Sequence, residues 1–237
     1  VIDAEPGSRG DDRPADPSEE LEDLPSRRVI PLILAAGRGE RMGFPKALLA
    51  LGAMSALERV LATADRAGLG PAVVVLGFAA ERVAPLLAAH AARTPAAPPP
   101  RSVINPAPER GQTSSAQVGL AAVPADALAV ALWPVDHALV EVEDMTALLA
   151  EARAHPECTI VLPSHQGRAG HPALLRRRLF PAILALAPET PLRDYLKTER
   201  QRTAFVIRPS DAVLVDLDTP ADLAAARRRL GEGEGAG

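Results

Sequence analysis

The sequence predicts an α/β fold, a three-layer α/β/α sandwich built around a mostly parallel sheet. Two observations carry that expectation. From Val29 onward, short apolar runs alternate with amphipathic segments, the pattern of strands joined by crossover helices. The first run, Val29-Ile30-Pro31-Leu32-Ile33-Leu34, also opens straight into a loop holding Gly37, Gly39 and Gly43 together with Arg41 and Lys46. Open α/β sheets bind ligands at such carboxyl ends of strands.

The elements follow in order. Ser55 to Ala67 reads as a helix capped by Ser55, with Glu58 three positions on as its capping-box partner. Ala72 to Leu76 reads as a strand, and a helix is expected from about Ala79 to Ala92. Pro95 to Pro100 marks a stiff connector, and Ser102 to Asn105 a short strand. Thr113 or Ser114 is expected to cap a helix ending near Ala122, and Ala127 to Leu132 to form a strand. Asp144 is expected to cap a helix to about Ala154, with a strand over Cys158–Leu162. Residues 167–172 read as a loop, and helices are expected near Leu179–Leu186 and Pro191–Glu199. Short strands are expected at Ala204–Ile207 and Val213–Val215, and a last helix from Pro220 behind the cap Thr219. The loops at 36–46, 105–115, 133–138 and 163–172 should then share one face.

Residues 1–28 hold nine acids and four arginines, a local balance of −5 within the overall −4, and are expected to be a disordered acidic tail. The folded domain is expected over 29–230, with a flexible Gly-rich end at 231–237. The remaining 21 acids and 22 basic residues leave a near-neutral body, which offers no electrostatic footprint for nucleic acid. No apolar stretch reaches the ~18–20 residues that span a bilayer, and the acidic start does not read as a secretory signal. The single cysteine, Cys158, excludes an intramolecular disulfide and a thiolate metal cluster. Together these features lead to the expectation of a cytoplasmic protein without a membrane partner.

The loop after the first strand admits several readings. A glycine-rich turn with solvated cations is the plainest. A phosphate loop of the NTPase kind needs Gly-Lys-Ser/Thr, whereas Phe44-Pro45 separate Gly43 from Lys46 and Ala47 follows. A dinucleotide fingerprint wants an acid after the second strand, and none occurs here before Glu81.

The whole segment Leu34-Ala35-Ala36-Gly37-Arg38-Gly39-Glu40-Arg41-Met42-Gly43-Phe44-Pro45-Lys46 resembles the signature loop of MobA-like NTP transferases. The closer likeness is to the molybdenum-cofactor cytidylyltransferase type, within the wider nucleoside-diphosphate-sugar transferase superfamily and its Rossmann-like fold. The resemblance implies that Leu34 to Gly39, Arg41, Gly43 and Lys46 wrap a nucleoside triphosphate, with Arg41 and Lys46 catalytic. Asp136, at the end of the run Val130–Val135, matches a metal-binding aspartate of that family. The run continues Asp136-His137-Ala138, so the family's usual proline is missing. Val215-Asp216-Leu217-Asp218-Thr219-Pro220 resembles a second element, implying Asp216 as metal ligand while Asp218 and Thr219 cap the last helix. A purely structural junction there is the rival reading.

Gly111-Gln112-Thr113-Ser114-Ser115 resembles the base-contacting loop, implying roles for Gly111, Ser114 and Ser115. Gly170-His171-Pro172 resembles an element on the acceptor side. The implied reaction is Mg²⁺-dependent transfer of a nucleoside monophosphate to a phosphorylated small molecule. Ala36 and Pro45 resemble the cytidylyl rather than the guanylyl enzymes, implying CTP. The implied acceptor is molybdopterin, with a molybdoenzyme or its chaperone as a downstream partner. A sugar 1-phosphate or another phosphorylated alcohol is the alternative acceptor, and a nucleotide-binding regulatory module the non-enzymatic alternative. No His/Cys spacing indicates zinc, and no Ser-His-Asp order indicates a hydrolase.

Overall fold

The structure, a computed structural model, describes residues 24–231. In chain order its elements are β1 (Val29–Ala35), β2 (Ala50–Leu51), β3 (Met54–Ser55), α1 (Ala56–Arg66), β4 (Val73–Leu76), α2 (Ala80–Arg93), β5 (Arg101–Ile104), α3 (Gln112–Ala122) and β6 (Ala129–Pro134). These are followed by α4 (Val142–Ala154), β7 (Ile160–His165), β8 (Arg168–Ala169), β9 (Ala173–Arg176), α5 (Phe180–Leu184), α6 (Leu192–Thr198), β10 (Thr203–Ile207) and α7 (Pro220–Arg229).

The main sheet runs β10-β7-β9-β6-β1-β4-β5, with β8 paired to β7, and β2 and β3 form a separate hairpin. Strand β1 is parallel to β4 on one side and to β6 on the other, with Leu34 opposite both Val75 and Pro134. The chain therefore builds outward from β1 through β4 to β5, then returns to lay β6 on the opposite flank. That reversal opens a crevice at the carboxyl ends of β1 and β6, the topological switch point where sheets of this kind take ligands.

Alternation along β1 divides the core. Val29, Ile33 and Ala35 pack with Leu57 and Val60 of α1 and Met145 and Leu148 of α4. Ile30, Leu32 and Leu34 face the other way, against Ala116 and Leu120 of α3 and Ile183 of α5. Every residue of β1 is buried, as expected of a central strand covered by helices on both faces. The three-layer α/β/α architecture read from the sequence is thus present.

Several expectations need correction. The sheet is mostly parallel as expected, but β9 runs antiparallel between β6 and β7, an element not expected in the stretch between the loop 167–172 and the helix near Leu179. The strand expected at Val213–Val215 is instead a 3-10 turn over Asp211–Leu214. Thr113 and Ser114 lie inside the first turn of α3, whose N-cap is Gly111 at φ 96°. Asp144 is likewise the third residue of α4, closing a capping box with Glu141. The boxes at Ser55/Glu58 and Thr219/Asp222 begin α1 and α7. Core packing starts earlier than Val29, because Leu24 is 1% exposed and its carbonyl accepts from Arg153 Nε at 3.0 Å. Residues 1–23 of the expected tail and 232–237 of the Gly-rich end lie outside the described residues.

Candidate active site

The switch-point crevice is a cavity of about 570 Å³. One wall is the end of β1 and the loop after it, from Leu34 to Arg41. Gly39 sits in the left-handed region at φ 67°, and a Cβ there would fall on the Phe44 carbonyl oxygen. Only glycine lets the chain double back so closely and return Lys46 to the crevice. Arg38 stacks over the Phe78 ring at 3.8 Å from its centroid, closing the side of the cavity next to β4. Gly111, Gln112 and Ser115 at the start of α3 form the opposite wall, and Val135 and Asp136 the floor.

A cluster of charges lines the crevice around Asp136. Lys46 Nζ donates to Asp136 Oδ2 at 2.7 Å and to Asp218 Oδ1, and Arg41 meets Asp218 Oδ2 at 2.7 Å. Burial pulls the Lys46 pKa down, but the charges and hydrogen bonds of Asp136 and Asp218 outweigh it and hold the amine above its ordinary value. The hydrogen bond from Lys46 in turn holds Asp218 below the ordinary carboxylate range, with Arg41 adding to it. Asp136 Oδ1 is buried and has no hydrogen-bond partner among the described residues. A buried carboxylate oxygen left unpaired is costly unless something else binds it.

Behind Asp136, the His137 and His171 rings lie 4.5 Å apart, and the Nδ1 atom of each is buried without a partner. Burial, together with His137 alongside, pushes His171 down to about 4, against the opposing pull of Asp136 and the Leu132 backbone. Burial also lowers His137. Both rings are therefore neutral at pH 7, which lets them sit side by side. The His171 backbone N–H donates to the Val213 carbonyl at 2.9 Å. Gly170 packs so tightly on that carbonyl that a side chain would collide with it.

Most of the residues singled out in the sequence converge here. Leu34 to Gly39, Arg41, Lys46, Gly111, Ser115 and Asp136 all line the crevice. Gly43 shapes the loop at φ 63° without lining the cavity. Ser114 is 6% exposed and turned away, accepting from Asn105 Nδ2 at 2.9 Å and donating to the Gly111 carbonyl at 2.9 Å. Asn105 also donates to Ser115 Oγ at 3.0 Å, so it sets both serines. Its position at the end of a strand was the one signal the sequence offered for it. Gly170 and His171 line a second cavity, adjoining the first through Gln112; Pro172 does not line it.

The aspartates of the last motif exchange places relative to the sequence reading. Asp216 is exposed and lines neither cavity, whereas Asp218, expected as a helix cap, holds Lys46 and Arg41. Capping falls to Thr219 with Asp222. Among the described residues no group of three or more His, Cys, Asp or Glu is arranged to hold a metal alone. Magnesium does not need one, since it takes one or two carboxylates and fills its shell with substrate oxygens and water.

A sheet with this switch point, a glycine loop and a lysine bridging two aspartates define a nucleotide-binding α/β protein. Residues 31–204 match the MobA-like NTP transferase domain, and the chain belongs to that family. It is accordingly a nucleotidyltransferase. No curated protein matches the sequence significantly. Among solved structures, Rv0371c from Mycobacterium tuberculosis H37Rv is similar at a TM-score of 0.70 and 22% identity, over 84% of this chain and 98% of that one. The same protein is also known in complex with manganese. Molybdopterin-guanine dinucleotide biosynthesis protein A from Archaeoglobus fulgidus aligns at 0.63 and 16% identity, over 86% and 100% of the two chains. The 4-diphosphocytidyl-2C-methyl-D-erythritol synthase of Anaerococcus prevotii DSM 20548 aligns at 0.66 and 15%, over 86% and 96%. At these identities the likeness to solved structures is one of fold. Among the described residues, no helix is long and apolar enough to cross a membrane.

Proposed function

We propose that the enzyme transfers CMP from CTP to the phosphate of a small-molecule acceptor, with molybdopterin as that acceptor, and that magnesium supports the reaction. The observation that carries this reading is the Lys46 amine between Asp136 and Asp218 at the switch point, with Asp136 Oδ1 buried and unpaired. Backbone N–H groups of the loop from Ala36 to Gly43 receive the β- and γ-phosphates, with Arg41 swinging from Asp218 onto them. Lys46 neutralises charge gathering on the α-phosphate, a preorganised contribution that needs no reorganisation during the reaction. An acceptor phosphate oxygen attacks the α-phosphorus and forms a new P–O bond. The α–β bridging P–O bond breaks, and its electron pair leaves with pyrophosphate. Ser115 and Gly111 contact the base. Gly170 and His171 border the acceptor.

The donor set fits a divalent cation. Asp136 would hold it through the oxygen that now lacks a partner, with Asp218 as second carboxylate in preference to Asp216, because Asp218 is the one beside Asp136. When bound, the ion supplies charge neutralisation and orientation of the phosphates. The manganese complex of Rv0371c and the family membership support a divalent requirement. The cytidylyl reading is supported by Ala36 and Pro45 in the signature loop.

A panel of CTP, GTP, UTP and ATP, assayed for Mg²⁺-dependent pyrophosphate release with molybdopterin and with glucose 1-phosphate, tests this reading. CTP with molybdopterin should turn over fastest. Preference for UTP with the sugar phosphate would replace the reading with a sugar-nucleotide one.

A further inference from the structure

The second cavity, of about 500 Å³, lies beside the nucleotide crevice and shares Gln112 with it. Its chemistry is different. Leu132, Leu162, Leu196 and Phe205 supply apolar walls; among the described residues no carboxylate lines it, and Gln112, His171 and Thr203 are its uncharged polar groups. Phe205, on the edge strand β10, is 46% exposed. The lining cations are Arg193, Lys197 and Arg200.

The course of the cavity is fixed by the sheet. Gly170 and His171 mark the end near the carboxyl tips of the strands. From there the lining continues back along β10 to its first residue, Thr203, which pairs with Ile160 at the start of β7. Arg200 lies in the turn just before Thr203, and Lys197 at the end of α6. Lys197 and Arg200 therefore lie toward the end away from Asp136 and Lys46, with Arg193 at the start of α6. Asp194 meets Lys197 at 3.0 Å and Arg193 at 3.8 Å, both exposed pairs, and Arg200 makes no ion pair with the described residues. Exposed pairs of this kind are weak and readily exchanged for a bound anion.

We propose that this cavity receives the body of the acceptor, and that the acceptor is a phosphate monoester on an aromatic or hydrocarbon body carrying a second anionic group. The inference rests on the nucleotidyl-transfer reading above. A polyol body would leave most of its hydroxyls against leucine and phenylalanine side chains, with Gln112 the one amide in the lining and no carboxylate to receive them. An apolar body buries well there, its reacting phosphate lies toward Gln112 and His171, and its second charge meets Lys197 and Arg200.

Calorimetric titration of the full chain, without nucleotide, with phenyl phosphate, 4-carboxyphenyl phosphate and glucose 1-phosphate tests the proposal, with CTP titrated separately. The carboxyphenyl ester should bind about tenfold tighter than glucose 1-phosphate, because its ring displaces water from apolar walls. In the Lys197→Ala/Arg200→Ala double variant that ester should weaken about tenfold, while phenyl phosphate changes less than twofold. Leu196→Asp should weaken both aryl esters, with an unchanged melting curve as the check on folding. Equal or tighter binding of glucose 1-phosphate, or an unchanged carboxyphenyl affinity in the double variant, overturns the proposal. Failure of CTP to bind contradicts the donor reading instead and leaves the acceptor arms readable.

Discussion

Two ion pairs of nearly the same length do opposite things in this molecule. Asp144 and Arg208 meet at 2.7 Å, as do Asp136 and Lys46. Asp144 is 2% exposed and fully used: Oδ1 accepts from Arg208 Nε, and Oδ2 accepts from the Glu141 N–H at 3.0 Å. It joins the start of α4 to the segment after β10. Asp136 uses one oxygen and leaves the other buried and bare. A satisfied pair ties elements together, whereas the unsatisfied one is, in the function proposed above, the place a ligand fills.

The largest expected effect separates the two directly. Lys46→Ala should lower turnover by roughly a hundredfold or more, the scale of losing a preorganised charge at a reacting phosphate. Its melting temperature should stay within about 3 °C of the parent, since the pair is partly solvated. Pyrophosphate release and a melting curve on the same sample check both. A large loss of stability would put Lys46 in the same structural class as Arg208.

Asp144→Ala should show the reverse. Removing one partner of a buried pair and half of a capping box costs about 3 kcal/mol, somewhat below the loss for a wholly buried pair because Arg208 reaches solvent. Denaturant unfolding should show the shift, and turnover measured well below the melting temperature should remain within about twofold.

The two aspartates of the last motif sharpen the contrast further. Asp218→Asn should slow pyrophosphate release by roughly tenfold or more, and Asp216→Asn by less than about threefold, because only Asp218 touches Lys46 and Arg41. Equal losses would restore Asp216 to the site.

The smallest effect concerns another fully used carboxylate, Glu58. Burial raises its pKa, but the Ser55 N–H and hydroxyl together with Arg93 outweigh that and hold it below the ordinary value. A depressed folded pKa contributes stability that is present above the unfolded value of about 4.5 and is lost as pH falls through the folded one. Glu58→Gln should therefore be about 0.5–1 kcal/mol less stable than the parent at pH 7, with the gap closing below about pH 4. Melting curves across that range check it. A gap that widens toward acid would contradict the capping role.

How legible each part was follows from how local its cause is. The capping boxes at Ser55 and Thr219 are written within four residues, and both begin helices as read. Strand β1 was legible because its burial on both faces leaves an unbroken apolar run. Strand β9 was not, since its antiparallel place between β6 and β7 depends on partners far along the chain. The signature loop was legible as a motif, and the structure folds it around the crevice. The choice between Asp216 and Asp218 was not, because the strong cap beside Asp218 gave it a sufficient local explanation. Its partner Lys46 is 172 residues away, a contact that no window of sequence contains. Of the second cavity only Gly170 and His171 were legible, as a motif; the walls from Leu132, α6 and β10 are assembled from distant parts of the chain.

The central claim is that the bare oxygen of Asp136 marks the place where nucleotide and divalent ion meet. Manganese titration followed by electron paramagnetic resonance, in the presence of CTP, tests it most directly. The parent should immobilise the ion, and Asp136→Asn should weaken that binding by tenfold or more with an unchanged melting temperature. Equal manganese affinity in the two proteins would contradict the account.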